Sequence, residues 1–228
     1  MTPPKNYLID MDGVLAEVSA SYREAIVETV RHFTGVEVSR ERIQEYKNQG
    51  GYNNDWLLSQ RLCRDLGVEV PYETVVEYFC RIFFGENNDG LISRELWIPR
   101  DGLLDRLAAR YRLAIFTGRN RAEAAVTLNR FAPSAPFDPV VTTDEAPIGK
   151  PAPDGLLMIM ERFPAPRYYY VGDTVDDARS ARAARVPFIG IAAPDSPWRG
   201  ELAAALQAEG AFAVLGDVNE IEQALPPA

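Results

Sequence analysis

Two hydrophobic periods alternate along this chain. Tyr7-Leu8-Ile9 is a short continuous apolar run, the pattern of a buried strand. It ends in Asp10-Met11-Asp12-Gly13, where the glycine marks a sharp bend. After Leu15 the period turns helical and stays so for about 80 residues. Val18, Tyr22, Ile26, Val30 and Phe33 fall on one stripe, Ser21 and Glu24 have capping-box spacing, and Gly35 supplies the stop. A second helix is expected from Ser39 to Asn48, then a turn at Gln49-Gly50-Gly51-Tyr52. Asn53 or Asn54 caps a third helix carrying Leu58, Leu62 and Leu66 and ended by Gly67. Pro71 opens a fourth, with Val75, Val76, Phe79, Ile82 and Phe83 inward and Gly85 as terminator. Glu86 to Gly90 is a polar loop, and nothing between residues 16 and 98 alternates as a strand does.

From Pro99 strands return, each followed by a helix. The pattern predicts strands over 112–116, 139–142, 167–171, 187–191 and 212–215. It predicts helices over 102–111, 122–131, 153–163, 176–184 and 199–209. Strand-helix alternation implies right-handed crossovers and a parallel sheet covered by helices on both faces. The expected fold is therefore a Rossmann-like α/β core formed by residues 1–15 and 99–228. It is interrupted by an inserted four-helix unit over residues 16–98.

Composition narrows the classes. A net charge of −9 over 228 residues argues against a nucleic-acid partner, which favours a basic patch. No apolar run approaches the roughly 20 residues needed to cross a bilayer. Met1-Thr-Pro-Pro-Lys5 lacks the apolar stretch of a secretory signal. Cys63 and Cys80 have no metal-ligand spacing and read as free thiols, so a reducing, cytoplasmic setting is expected. His32 is the single histidine. A poly-histidine metal site is thereby excluded, and its place in the last turn of a helix suits a cation at that terminus.

Chemistry gathers after the strands. Asp10 and Asp12 follow the first, Thr117-Gly118 the second, Lys150 a later loop, and Asp173 through Asp177 the Tyr-rich strand. In a parallel sheet these ends face one way, where ligands bind. Thr117-Gly118 offers a hydroxyl and an open backbone N–H, an anion cradle. Several carboxylates in one place repel and shift each other's pKa, which a divalent cation with oxygen ligands relieves; magnesium suits such a site. Each cluster alone has a plainer reading. Thr117-Gly118 is an ordinary turn, Lys150 a solvated lysine, and Asp173/Asp177 a charged helix start.

Asp10-Met-Asp-Gly-Val-Leu, Phe116-Thr-Gly-Arg, Lys150-Pro and Val171-Gly-Asp-Thr-Val-Asp-Asp together resemble the four motifs of the haloacid dehalogenase-like hydrolases, over nearly the whole chain. The helical insert resembles the cap of the branch holding phosphoglycolate phosphatases and β-phosphoglucomutases. One departure is Arg185, where that family usually has glycine; arginine suits a left-handed helix end less well.

The resemblance implies a Mg²⁺-dependent phosphatase acting on a small phosphorylated metabolite through an aspartyl-phosphate. It implies Asp10 as nucleophile and Asp12 as acid and base. It places the metal on Asp10, the Asp12 carbonyl, Asp173 and Asp177, with Asp176 a competitor for the last part. Thr117, Gly118 and Lys150 would hold the phosphoryl oxygens. Asp12 is typically absent from dehalogenases and phosphonatases, which favours phosphate esters. A phosphomutase keeps both aspartates and stands as the alternative; a non-catalytic binding module on this fold is a further one. Substrate choice is expected in the cap, which would close over the site. The candidates there are Tyr22, Arg23, Lys47 and the stretch Tyr52-Asn53-Asn54-Asp55-Trp56, with Trp56 alternatively a core residue. Arg119 either reads an acidic group of the substrate or lies on the surface.

Overall fold

The run Tyr7-Leu8-Ile9 lies inside β1 (Lys5–Ile9), at the centre of a six-stranded parallel sheet. The computed structural model describes residues 5–225. The Met1–Pro4 stretch, read above from sequence, and residues 226–228 lie outside those residues. The chain divides into two compact units: Glu17–Leu96, and the residues on either side of it through Ala16 and from Trp97.

β2 (Ala16–Glu17) opens the insert, which then holds α1 (Tyr22–Thr34), α2 (Arg40–Gln49), α3 (Asp55–Asp65) and α4 (Tyr72–Phe84). A 3-10 turn at Leu91–Arg94 leads to β3 (Leu96–Trp97), which pairs with β2. Two-residue strands are too short to show a period, so sequence patterning missed this pair. Helices α1, α3 and α4 pack on one another. Their core includes Tyr22, Ile26, Leu58, Leu62, Phe79 and Phe83, all buried. Each such side chain is worth about 1.5–3 kcal/mol of burial. Val76, Ile82 and Phe33 are only half-buried.

Caps decide the helix ends, with two corrections. Ser39 and Asn54 cap α2 and α3 by accepting backbone N–H bonds. The capping box expected at Ser21 does not form. The Ser21 hydroxyl lies instead by the Val18 carbonyl (3.3 Å) and the Glu95 carboxylate (3.4 Å). Leu66 is not a core residue: α3 has ended, and its side chain is 41% exposed.

The sheet unit continues with α5 (Leu103–Ala108), β4 (Tyr111–Phe116), α6 (Arg121–Phe131), β5 (Phe137–Val141) and α7 (Asp154–Arg162). β6 (Tyr168–Gly172), α8 (Val175–Ala184), β7 (Phe188–Ile191), α9 (Arg199–Ala208) and β8 (Ala213–Leu215) follow. A 3-10 turn and a one-turn helix α10 (Ile221–Ala224) close it; neither was anticipated from sequence. The strand order is β5-β4-β1-β6-β7-β8. The chain builds outward from β1 on one side, then returns to build on the other. The order therefore reverses beside β1, which places the ligand crevice of such sheets at the carboxyl ends of β1 and β6.

Period-2 alternation sends odd and even residues to opposite faces. Tyr7, Ile9, Leu113, Ile115, Tyr169 and Val171 pack with Leu107, Ala124 and Ile221. Leu8, Ala114, Phe116, Tyr170 and Phe188 pack with Leu156, Ile159, Ala181 and Leu206. Both faces are thus covered, which explains the unbroken apolar runs. Among the described residues no helix is long and apolar enough to cross a membrane.

Arg185 ends α8 in the left-handed region at φ 59°, ψ 36°. The Val186 N–H returns to the Ala181 carbonyl at 2.9 Å, the Schellman pattern. The helix therefore ends as it would with glycine, at the steric cost of a Cβ. Arg185→Gly is expected to raise stability by about 0.5–1 kcal/mol, read as a higher urea midpoint at unchanged slope. A lower midpoint would show that the arginine side chain does more there than its backbone costs.

Candidate active site

Asp10 follows β1 directly, and its N–H donates to the Val171 carbonyl at 2.9 Å, continuing the ladder to β6. The chain then folds back on itself. The N–H groups of Leu15 and Ala16 both reach the Met11 carbonyl, at 2.8 and 2.9 Å, and Gly13 donates to Ala16 at 2.9 Å. This needs a left-handed residue, and Gly13 has φ +68°. A Cβ there would fall on the Asp173 carboxylate, so glycine also lets the end of β6 approach this loop. Gly172 does the same for Asp177, whose Cβ and Cγ occupy the space a side chain would take.

Lys150 stands at the middle of the cluster. Its ammonium is 2.7 Å from Asp10 Oδ1 and 2.7 Å from Asp177 Oδ1, and all three side chains are almost wholly buried. Burial pulls the lysine pKa down, but Asp10 and Asp177 more than reverse this and leave it raised. Burial pushes the Asp10 carboxyl well above the usual carboxylate range; Lys150 opposes, while Asp177, Asp12 and Asp173 push it further. Asp177 goes the other way. Burial would raise it, but Lys150 and hydrogen bonds from Thr174 and Tyr170 hold it below the usual range. Thr174 and Asp177 form a true capping box at the start of α8, with the Thr174 hydroxyl donating to Asp177 Oδ2 at 2.6 Å. The Tyr170 hydroxyl donates to Asp177 Oδ1 at 2.6 Å. Burial holds that phenol protonated, well above its ordinary pKa.

Carboxylate oxygens of Asp10, Asp173 and Asp177 all lie within 4.8 Å of one another. Three carboxylates face one ammonium, and the donors are all hard oxygens. A divalent oxygen-seeking cation fits this set in charge and chemistry. Asp177, rather than Asp176, belongs to the cluster.

Thr117 is buried at the end of β4, its hydroxyl accepting the Arg119 N–H at 3.2 Å; Gly118 is half-buried in the same turn. Arg119 departs from both expectations. It is neither on the surface nor turned outward: its side chain is 1% exposed and its guanidinium lies on Asp12. Nε and Nη2 donate to Asp12 Oδ1 at 2.8 and 2.5 Å, and Nη1 to the Thr127 hydroxyl at 2.5 Å. Sequence reasoning missed Thr127 and Tyr170. Thr127 looks like any polar residue of α6, and Tyr170 like any aromatic of a core strand.

Arg23, Lys47 and Asn53 all belong to the Glu17–Leu96 unit. Lys47 is ion-paired with Asp55 within that unit. Arg23 and Asn53 are half-buried. Tyr22 is a core residue, its ring 4.3 Å from that of Phe83. Trp56 meets Phe79 edge-on at 6.5 Å. His32 stacks on Tyr78 at 3.9 Å, in the last turn of α1. Cys63 is buried, and burial pushes its thiol up to about 11; Cys80 is also a free thiol.

The sequence profile of the haloacid dehalogenase-like hydrolases matches residues 4–185. An imidazoleglycerol-phosphate dehydratase of Phytophthora nicotianae is 35% identical over 204 residues, 86% of this chain. The match covers 45% of that relative, so the chain spans less than half its length. A phosphoglycolate phosphatase of Nitrosospira multiformis is 32% identical over 188 residues, 80% of each chain. Among solved structures, a hydrolase from Pseudomonas syringae superposes with a TM-score of 0.72 at 19% identity, covering 96% of both chains. At that identity the likeness speaks for the fold.

Proposed function

On the premise that this chain belongs to the haloacid dehalogenase-like hydrolase family, we propose that it is a Mg²⁺-dependent phosphatase of a small phosphorylated metabolite. The observation that carries this reading is the buried array of Asp10, Lys150 and Asp177, with Asp173 within carboxylate reach. Asp10 is the nucleophile, placed where β1 ends and backed by the Lys150 ammonium. Its oxygen bonds to phosphorus, and the electron pair of the breaking P–O bond leaves with the alcohol oxygen. Asp12 gives that oxygen a proton, then takes one from the water that releases phosphate from Asp10. Lys150 and the Thr117-Gly118 turn hold the phosphoryl oxygens and stabilise the charge spread over them in transfer. Asp10, Asp173, Asp177 and the Asp12 carbonyl would hold the metal. When bound, it balances the gathered carboxylates and the phosphoryl charge.

The relatives suggest two substrate chemistries. The phosphoglycolate phosphatase points to a short phospho-acid. The relative named for imidazoleglycerol phosphate favours, as a second reading, an imidazole-bearing phosphate ester. In the Glu17–Leu96 insert, Arg23 and Asn53 are the proposed substrate-reading residues, with Lys47 available if its pair with Asp55 opens.

A panel of about a hundred phosphorylated metabolites, including both chemistries, tests the reading by phosphate release with Mg²⁺ and with EDTA; one fold hosts many functions, so breadth matters. Metal-dependent release from one class is expected. Sugar-phosphate isomerisation outrunning release would replace the hydrolase with a phosphomutase. Silence across the panel would leave a binding module.

A further inference from the structure

We propose that Arg119 is a positioning residue for the hydrolysis: it fixes the Asp12 carboxylate through Oδ1 and so presents Oδ2 as the oxygen that exchanges the proton. The inference rests on the reading of Asp12 as acid and base. Among the described residues, the hydrogen bonds to this carboxylate all end on Oδ1, from Nε at 2.8 Å and Nη2 at 2.5 Å. The Asp12 side chain is 30% exposed on a loop and would otherwise sample several rotamers.

The arm that holds it is itself fixed at both ends. At its root, the Arg119 N–H donates to the Thr117 hydroxyl at 3.2 Å. The Arg119 carbonyl accepts from the Thr143 N–H at 3.0 Å and hydroxyl at 3.2 Å. At its tip, Nη1 is anchored to Thr127 on α6 at 2.5 Å. A buried guanidinium is costly unless its donors are used, and a planar fork sets direction in a way a lysine ammonium cannot. An arginine meant to read a substrate would keep those donors turned outward. This one uses them on the group that moves the proton.

The chemistry locates the consequence. In the first step an Asp10 oxygen bonds to phosphorus, the leaving oxygen takes the electron pair of the broken P–O bond, and the proton on Asp12 Oδ2 passes to it. In the second, water bonds to phosphorus, the bond to Asp10 breaks, and a proton from that water passes to Oδ2. A leaving group that departs as a stable anion does not need the first proton. p-Nitrophenyl phosphate is such a substrate; phenyl phosphate, of nearly the same shape, needs it far more.

The test compares kcat/KM for these two substrates with Mg²⁺, since kcat/KM reports steps up to leaving-group departure. Arg119→Lys is expected to lower it about 30-fold for phenyl phosphate and less than about 3-fold for p-nitrophenyl phosphate, on the scale of weakened general-acid catalysis. Thr127→Val, which removes the hydroxyl that anchors Nη1, should shift the ratio the same way by less. In an Asp12→Asn background, Arg119→Lys should no longer change the ratio. Equal losses for both substrates, or none for either, would overturn the proposal and leave Arg119 a structural tie. If Arg119→Lys fails to fold, Thr127→Val decides. If the unmodified protein turns over neither substrate, the hydrolase reading itself fails, and this inference with it.

Discussion

Asp10→Asn is expected to abolish phosphate release: kcat with p-nitrophenyl phosphate and Mg²⁺ falls at least about 10⁴-fold, the scale of losing a covalent nucleophile. The amide has almost the shape of the carboxylate, so packing is kept. It cannot form the phosphorylated intermediate. Lys150 retains a carboxylate partner in Asp177 at 2.7 Å, so the buried ammonium is not stranded and the fold persists. Circular dichroism and gel filtration matching the unmodified protein would establish that. A variant keeping more than about a hundredth of the activity would place the nucleophile elsewhere.

Lys150→Met is expected to damage both stability and turnover. It leaves Asp10 and Asp177 buried side by side with no ammonium between them. Breaking a buried ion pair by removing one partner costs about 3–5 kcal/mol. In a chain of this size that is a fall in Tm of about 6–20 °C. The sign of the charge imbalance gives an internal check. The double variant Asp10→Asn, Lys150→Met removes one stranded carboxylate and should recover at least about 1 kcal/mol relative to Lys150→Met alone, as contacting sites do. Mg²⁺ should also raise the Tm of Lys150→Met more than that of the unmodified protein, because the cation replaces the missing charge. A Tm within about 2 °C of the unmodified protein would show that Lys150 is not the counter-charge its position implies.

What could be read from sequence was what is local or periodic. The parallel sheet follows from strands and helices taking turns, and Asp10, Asp173 and Asp177 stand out as carboxylates just beyond apolar runs, while Lys150, in a later loop, stands out only through the resemblance to the four family motifs. Long-range partners could not be read. The Ser21 hydroxyl and Glu95 are 74 residues apart in sequence, and that meeting replaces the expected capping box. Arg119 and Asp12 are 107 residues apart, so nothing near Arg119 told that its charge was already engaged. Leu66 kept the helical stripe in sequence, but the backbone had left the helix at Asp65. The ending of α8 at Arg185 shows the reverse: the Arg185 and Val186 N–H groups turn back on the helix's last carbonyls in a backbone state that the residue type disfavours.

The central position of β1 bears on how the protein is made. β1 leaves the ribosome before both of its neighbours, β4, where Lys5 faces Tyr111, and β6, where Ile9 faces Val171. At about 5–20 residues per second, its second neighbour is synthesised roughly 10–30 s later. Until then at least one edge of Tyr7-Leu8-Ile9 is without its partner strand. The last edge of the sheet's central strand is therefore closed only by a segment made about 160 residues later, and that exposed edge is what a nascent-chain chaperone would guard.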